Sequence, residues 1–275
     1  MPALFVGHGN PMNAIEDNET TRAWRALGST LPVPRAIVVV SAHWYLPGTR
    51  VTAEERPRTI HDFGGFPRAL FEVEYPAPGD PALAGRVVTL LAEGSFRIEA
   101  RADTTWGLDH GAWSVLCHLR PAADVPVLQV SLDETRPPSF HFELGRRLRP
   151  LRDEGVLVLG SGNLVHNLHA YAWGRHPVEP FAWAVRFETF ARERIAADDP
   201  APLVDYEAMG RDAILAVPTP DHYLPLLAVL GTRHPGEAAS YPVEGIDGGS
   251  ISMLSTGYEA ASPSSEPATP ARSGR

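Results

Sequence analysis

Three short segments, PALFVG (2–7), RAIVVVSAHW (35–44) and EGVLVLGSGN (154–163), hold continuous apolar runs, and VPVLQVSL (125–132) is a plausible fourth. A strand with one wet face alternates apolar and polar residues. A run this continuous and rich in β-branched residues, bounded by Gly or Pro, has to be covered on both faces. Helical patterns lie between the runs. In GDPALAGRVVTLLAEG (79–94), Asp80 can cap, Pro81 suits the first turn and Gly94 suits the stop, while Leu83, Val87, Leu90 and Leu91 share one face. SFHFELGRRLRPLRDEG (139–155) carries a Leu144, Leu148, Leu151 stripe that Pro150 must kink or shorten, and FAWAVRFETFARERIAA (181–197) carries Trp183, Phe187 and Phe190. Strands alternating with helices specify an α/β fold: a single domain with a mainly parallel or mixed central sheet flanked by helices.

In such sheets ligands gather beyond the carboxyl ends of the strands. Here those ends deliver imidazoles. His8 follows the first run between two glycines, His43 closes the second, and His166 comes shortly after EGVLVLGSGN. Small neighbours permit close approach by a metal or substrate. His222, in PTPDHYLPLL, falls near a helix start, which alone is no sign of a ligand; His110 precedes Gly in WGLDHGAW, and His61 sits in an aromatic, Pro- and Gly-rich stretch (57–79) that reads as a long functional loop. Several imidazoles without a Cys pair point to a mononuclear metal site, and neutral imidazole suits Zn, Fe, Cu or Ni. Three ligands with open positions make such a site catalytic rather than structural. The GSGN of residues 160–163 lacks the Lys and the spacing of a phosphate loop.

The remaining features narrow the class. A net charge of −9 gives no basic footprint for nucleic acid or an anionic membrane. The single cysteine, Cys117, rules out an internal disulfide and reads as a small buried hydrophobe. Neither a signal-peptide pattern nor a membrane-length apolar run occurs, so a cytoplasmic protein is expected. Residues 259–275, rich in Pro, Ser and Ala, are expected to be a disordered tail behind a domain of residues 1–258.

Six motifs then occur in order: PALFVGHGNPMNAIEDN, AIVVVSAHWYLPGTRVT, TIHDFGGFPRALFEVEYPAPG, WGLDHGAWSVL, GSGNLVHNL and PTPDHYLPLL. Together they resemble the 4,5-DOPA extradiol dioxygenase family, a branch of the class III extradiol ring-cleaving dioxygenases, over nearly the whole chain to GGSISMLS. The resemblance implies one divalent metal per chain, with His8, His43 and His222 matching ligand positions. It implies that His166 acts as acid/base, and that it can also close in as a fourth ligand. His110 matches a histidine near the substrate. The substrate it implies is a catechol such as DOPA or caffeate, cleaved with O₂. Trp44, Phe63 and Phe66 would wall the ring and His61 would orient it. The wider class commonly pairs two His with one carboxylate and Fe(II). Here the third ligand position is a histidine, and Glu74 and Glu244 have no comparable motif context. An all-His set also suits Zn(II), so a zinc-dependent hydrolase or a non-catalytic zinc-binding protein is the alternative. A monomer or small homo-oligomer is expected.

Overall fold

Each buried run becomes a strand whose alternate side chains enter two different cores. In the computed structural model, which describes residues 1–175 and 177–259, these are β1 (Ala3–Gly7), β2 (Ala36–Leu46), β5 (Val127–Asp133) and β6 (Val156–Gly162). Shorter strands complete the set: β3 (Thr49–Thr52), β4 (Ala100–Asp103), β7 (Ala239–Val243) and β10 (Ser255–Tyr258), with β8 (Ile246–Asp247) and β9 (Ile251–Ser252) forming a separate small hairpin. The eight-stranded sheet runs β4-β3-β5-β2-β6-β1-β10-β7. Its centre, β5-β2-β6-β1, is parallel, whereas β3 meets β5, and β10 meets β1 and β7, in antiparallel fashion. The sheet is therefore mixed, within the expected class.

Helices cover both faces. On one side Leu4, Val6, Ile37, Val39, Leu157 and Leu159 pack with α1 (Glu19–Thr30) and α3 (His110–Leu119) through residues such as Trp24, Trp113 and Leu116. On the other, Phe5, Val38, Val40, Leu128 and Val130 pack with α2 (Pro81–Ala92), α4 (Pro138–Leu148), α5 (Ala182–Ala196) and α6 (Leu224–Gly231). Asp80 caps α2 as its sequence predicts, accepting from the Leu83 amide at 2.9 Å. Pro150 ends α4 and begins a separate turn, Pro150–Asp153.

Strand register gathers the site. Gly7 pairs with Gly162, and Ser41 with Ser161, so β1 and β6 end together against the middle of β2, which runs on to Leu46 and carries His43 within it. His8, His43 and the chain after β6 emerge there together. Of the expected tail, all but Glu259 lies outside the described residues.

Candidate metal centre and cleft

His8, His43 and His222 each offer a ligand atom, and these atoms lie within 4.8 Å of one another. The tautomers follow from their partners. Ser161 Oγ donates to the Gly111 carbonyl at 2.5 Å, so its proton is committed, and the 3.0 Å contact with His8 must have His8 Nδ1 as donor. His222 Nδ1 donates to the Asp221 carboxylate. His43 Nδ1 faces Asp62 Oδ2 at 3.4 Å. For His8 and His222 the proton sits on Nδ1 and Nε2 keeps its lone pair, and Asp62 faces the same nitrogen of His43. Nε2 of His8 and Nε2 of His43 stand 3.2 Å apart. That 3.2 Å separation suits two nitrogens each about 2.0–2.1 Å from one metal. The donor set therefore fits a divalent transition metal.

Electrostatics keep His8 and His43 neutral. Burial, followed by the neighbouring imidazoles, holds His8 and His43 well below the usual histidine range. Asp221 is half-buried, which opposes ionisation, yet its bond to His222 outweighs this and brings it down to about 2. The result is a carboxylate–histidine pair of the kind that orients metal ligands.

His166 stands beside the trio. Its ring lies flat on His222, with centroids 3.5 Å apart and planes 3° from parallel, and burial pushes its pKa down to about 3. Its backbone donates to Ala216 O at 2.8 Å and it bridges to Ile251 on β9. His110 opens α3. Its amide donates to Asp62 Oδ1 at 2.9 Å, and its Nδ1 lies 2.9 Å from Asp62 Oδ2, out of line for a hydrogen bond. Asp62 Oδ2 thus faces Nδ1 of both His43 and His110, whose rings are in contact with centroids 3.8 Å apart. The adjacent Asp109 is fully buried and structural: it caps α3 and binds Ser41 and Gln129.

The histidines floor a cleft of about 210 Å³, walled by Phe66, Leu168, Tyr171, Trp173 and Ile251. A cavity of roughly 150 Å³ admits a benzene ring, so this one takes a single ring with a short side chain. Of the expected ring-walling residues, only Phe66 lines it. Phe63 stands behind, edge-on to His110 at 5.4 Å. Trp44 is buried and stacked on Trp106 at 5.6 Å, on the other side of β2 from His43, because successive strand residues face opposite ways. His61 Nε2 donates to the Val73 carbonyl at 3.0 Å and does not line the cleft; its neighbour Asp62 serves the site. Leu168, Tyr171 and Trp173 come from the loop after β6, which carries no periodic pattern to reveal them. Cys117 donates to the Ser114 carbonyl, and burial raises its thiol to about 12, so it is no nucleophile. Among the described residues, no helix is long and apolar enough to cross a membrane.

Against this geometry, a family model described as the catalytic LigB subunit of aromatic ring-opening dioxygenase matches residues 3–241. The chain belongs to this family. It is 52% identical over 258 residues to the 4,5-DOPA dioxygenase extradiol of Escherichia coli (strain K12), covering 93% of each chain. It is 36% identical to the protein of that description from Beta vulgaris, covering 90% of this chain and 93% of the relative. A crystal structure of an uncharacterized protein from Escherichia coli K12 superposes with a TM-score of 0.80 at 48% identity, covering 94% of this chain and 99% of that one. As a LigB-family member the protein is an extradiol aromatic ring-opening dioxygenase, and dioxygenases of this family use a metal.

Proposed function

We propose that this LigB-family enzyme opens the ring of a catechol such as DOPA or caffeate beside its two hydroxyls, both atoms of O₂ entering a ring-opened semialdehyde. One observation carries the reading: the ligand atoms of three histidines converge at the floor of a cleft sized for one aromatic ring. His8, His43 and His222 would hold one divalent metal, which as Fe(II) supplies Lewis acidity toward the catechol hydroxyls and electron-transfer chemistry with O₂ that Zn(II) lacks. The chain's own residues do the rest. Phe66, Leu168, Trp173 and Ile251 seat the ring and exclude water. His166, stacked on His222 at the edge of the trio, would take a hydroxyl proton and return it later. Asp62 turns His110 so that its Nε2 is the nitrogen left for a substrate oxygen.

The test uses metal-free protein loaded anaerobically with Fe(II) and mixed with a catechol panel before air is admitted. Stoichiometric O₂ uptake with a yellow semialdehyde is expected. If no catechol consumes O₂ with iron fully loaded, the proposal is wrong. Turnover with zinc and without O₂ would point to the hydrolase instead.

A further inference from the structure

Another concavity, of about 590 Å³, opens beside the turn between β2 and β3 and shares no lining residue with the cleft. Among the described residues, four arginines line it, each from a different segment. Arg50 comes from β3, Arg97 from the connection between α2 and β4, Arg101 from β4, and Arg136 from the connection between β5 and α4. Arg50 is paired, donating to Asp103 Oδ2 at 2.9 Å. The other three guanidiniums have no hydrogen-bond or carboxylate partner among the described residues, and Arg136 lies over the Phe140 ring at 4.9 Å. The carboxylates of the groove do not answer them. Asp133 Oδ1 accepts from the Thr135 amide at 3.0 Å and hydroxyl at 2.7 Å, and Glu99 pairs with none of the four.

Strand register adds an independent observation. Arg50 and Arg101 are partners in the β3–β4 ladder. Neighbouring strands run about 4.8 Å apart and residues in register face the same way, so two like charges sit side by side. Such a pair costs stability unless an anion offsets it. In a chain with 33 acidic residues against 24 basic ones, carboxylates are plentiful, yet four cations gather here with one of them paired. Arg101 alone would be explained by edge protection, because β4 ends the sheet and a charge there blocks pairing with another chain. That gives no reason for Arg97 and Arg136, which lie on connections, to line the same groove.

Guanidinium forks bind the oxygens of phosphates and carboxylates at two points each. A monocarboxylate fills one fork. Three unpaired forks around a groove in the size range of small-molecule sites call for several negative charges on more than one group. We propose that this arginine groove binds a small phosphate ester bearing two phosphate groups, at a site separate from the catalytic cleft. Binding there needs neither the metal nor dioxygenase chemistry.

Fructose 1,6-bisphosphate serves as the probe, titrated by calorimetry into zinc-loaded protein, with glutarate as a dicarboxylate comparison at matched ionic strength. Saturable one-to-one binding of the bisphosphate is expected, weakening as chloride rises. Glutarate is expected to bind at least about tenfold more weakly. Arg101→Gln and Arg136→Gln should each weaken the bisphosphate by about tenfold or more. Arg22→Gln, an exposed arginine of α1 paired with Asp17, should leave it unchanged, as should His8→Ala, which separates the groove from the metal centre. Arg101 and Arg136 are exposed, so both variants should keep the wild-type Tm, and lost binding then reads the groove alone. Absence of saturable bisphosphate binding overturns the proposal. So does binding that the two groove variants leave unmoved or that His8→Ala abolishes. Glutarate binding as tight as the bisphosphate overturns the phosphate assignment. Arg101→Gln protein that aggregates while binding the bisphosphate like wild type assigns Arg101 to edge protection and overturns its part in the groove.

Discussion

At the scale of single residues, the site depends on which ring nitrogen carries a proton. Ser161, Asp221 and Asp62 each face an Nδ1, and none of them touches the converging Nε2 atoms. Asp221→Asn keeps the shape but weakens the acceptor that fixes His222. Chelator competition is therefore expected to show metal affinity about tenfold to a hundredfold lower. His166→Ala separates the two roles open to that residue. Because His166 stacks on His222 and is outside the trio, the variant is expected to keep stoichiometric metal and lose about a hundredfold or more in turnover. Parallel loss of metal would make it a ligand first. The histidines were readable from the sequence because they fall near strand ends and helix starts, although His43 lies inside β2, which runs on to Leu46. Their partners were not. Aspartate adjoins histidine at 61–62, 109–110 and 221–222, yet only Asp221 serves its own neighbour's ring. Asp62 serves His43 and His110, and Asp109 caps a helix. Adjacency along the chain does not say which way two side chains turn, and that depends on pairings dozens of residues apart.

At the scale of elements, the glycines of GSGN explain how His222 reaches the strand ends. A Cβ on Gly162 would lie 2.2 Å from the His222 carbonyl oxygen, and one on Gly160 would lie 2.6 Å from the Pro225 carbonyl oxygen. The Asn163 amide donates to that same His222 carbonyl at 2.8 Å. β6 is thus a seat for the start of α6, and the motif that superficially resembles a phosphate loop is a close backbone contact. Gly162→Ala is expected to cost about 1–3 kcal/mol in urea unfolding, because neither backbone has room to yield. It should also weaken metal binding, since His222 must shift. Gly85→Ala, in exposed α2 with open space around it, should stabilise by up to about 1 kcal/mol. Equal effects from the two substitutions would remove the seating argument. The four buried central strands were readable because continuous apolar runs have few alternatives. β3, β4, β7 and β10 were not, because four or five residues near a sheet edge carry too little pattern.

At the scale of the whole molecule, the three proposed ligands come from the end of β1, the second half of β2 and the approach to α6, segments far apart in sequence and packed in two cores. A metal there acts as a cross-link present only in the folded chain. Its stabilisation grows as the logarithm of free metal, reaching about 4 kcal/mol at a thousand times Kd. For a chain of this size that is a rise of about 10 °C in Tm. Protons oppose folding in the metal-free protein. Burial lowers His8 and His43, takes His166 to about 3 and takes His141 to about 4, where its Nε2 accepts from the Asp133 amide. Unfolded, such side chains titrate near 6.5, so between these values the unfolded chain binds more protons than the folded one. Their contribution is complete above about pH 6.5 and is lost as pH falls toward 4. Thermal melts in chelator should therefore be flat from pH 8 to 7 and fall steadily from 6.5 to 4.5. Saturating Zn(II) should raise Tm at pH 7, and His8→Ala should abolish that rise. A chelated protein with level Tm down to pH 4.5 would mean that the buried imidazoles are charged or solvated in the folded state. A Tm indifferent to metal at pH 7 would mean that the converging nitrogens do not share a cation.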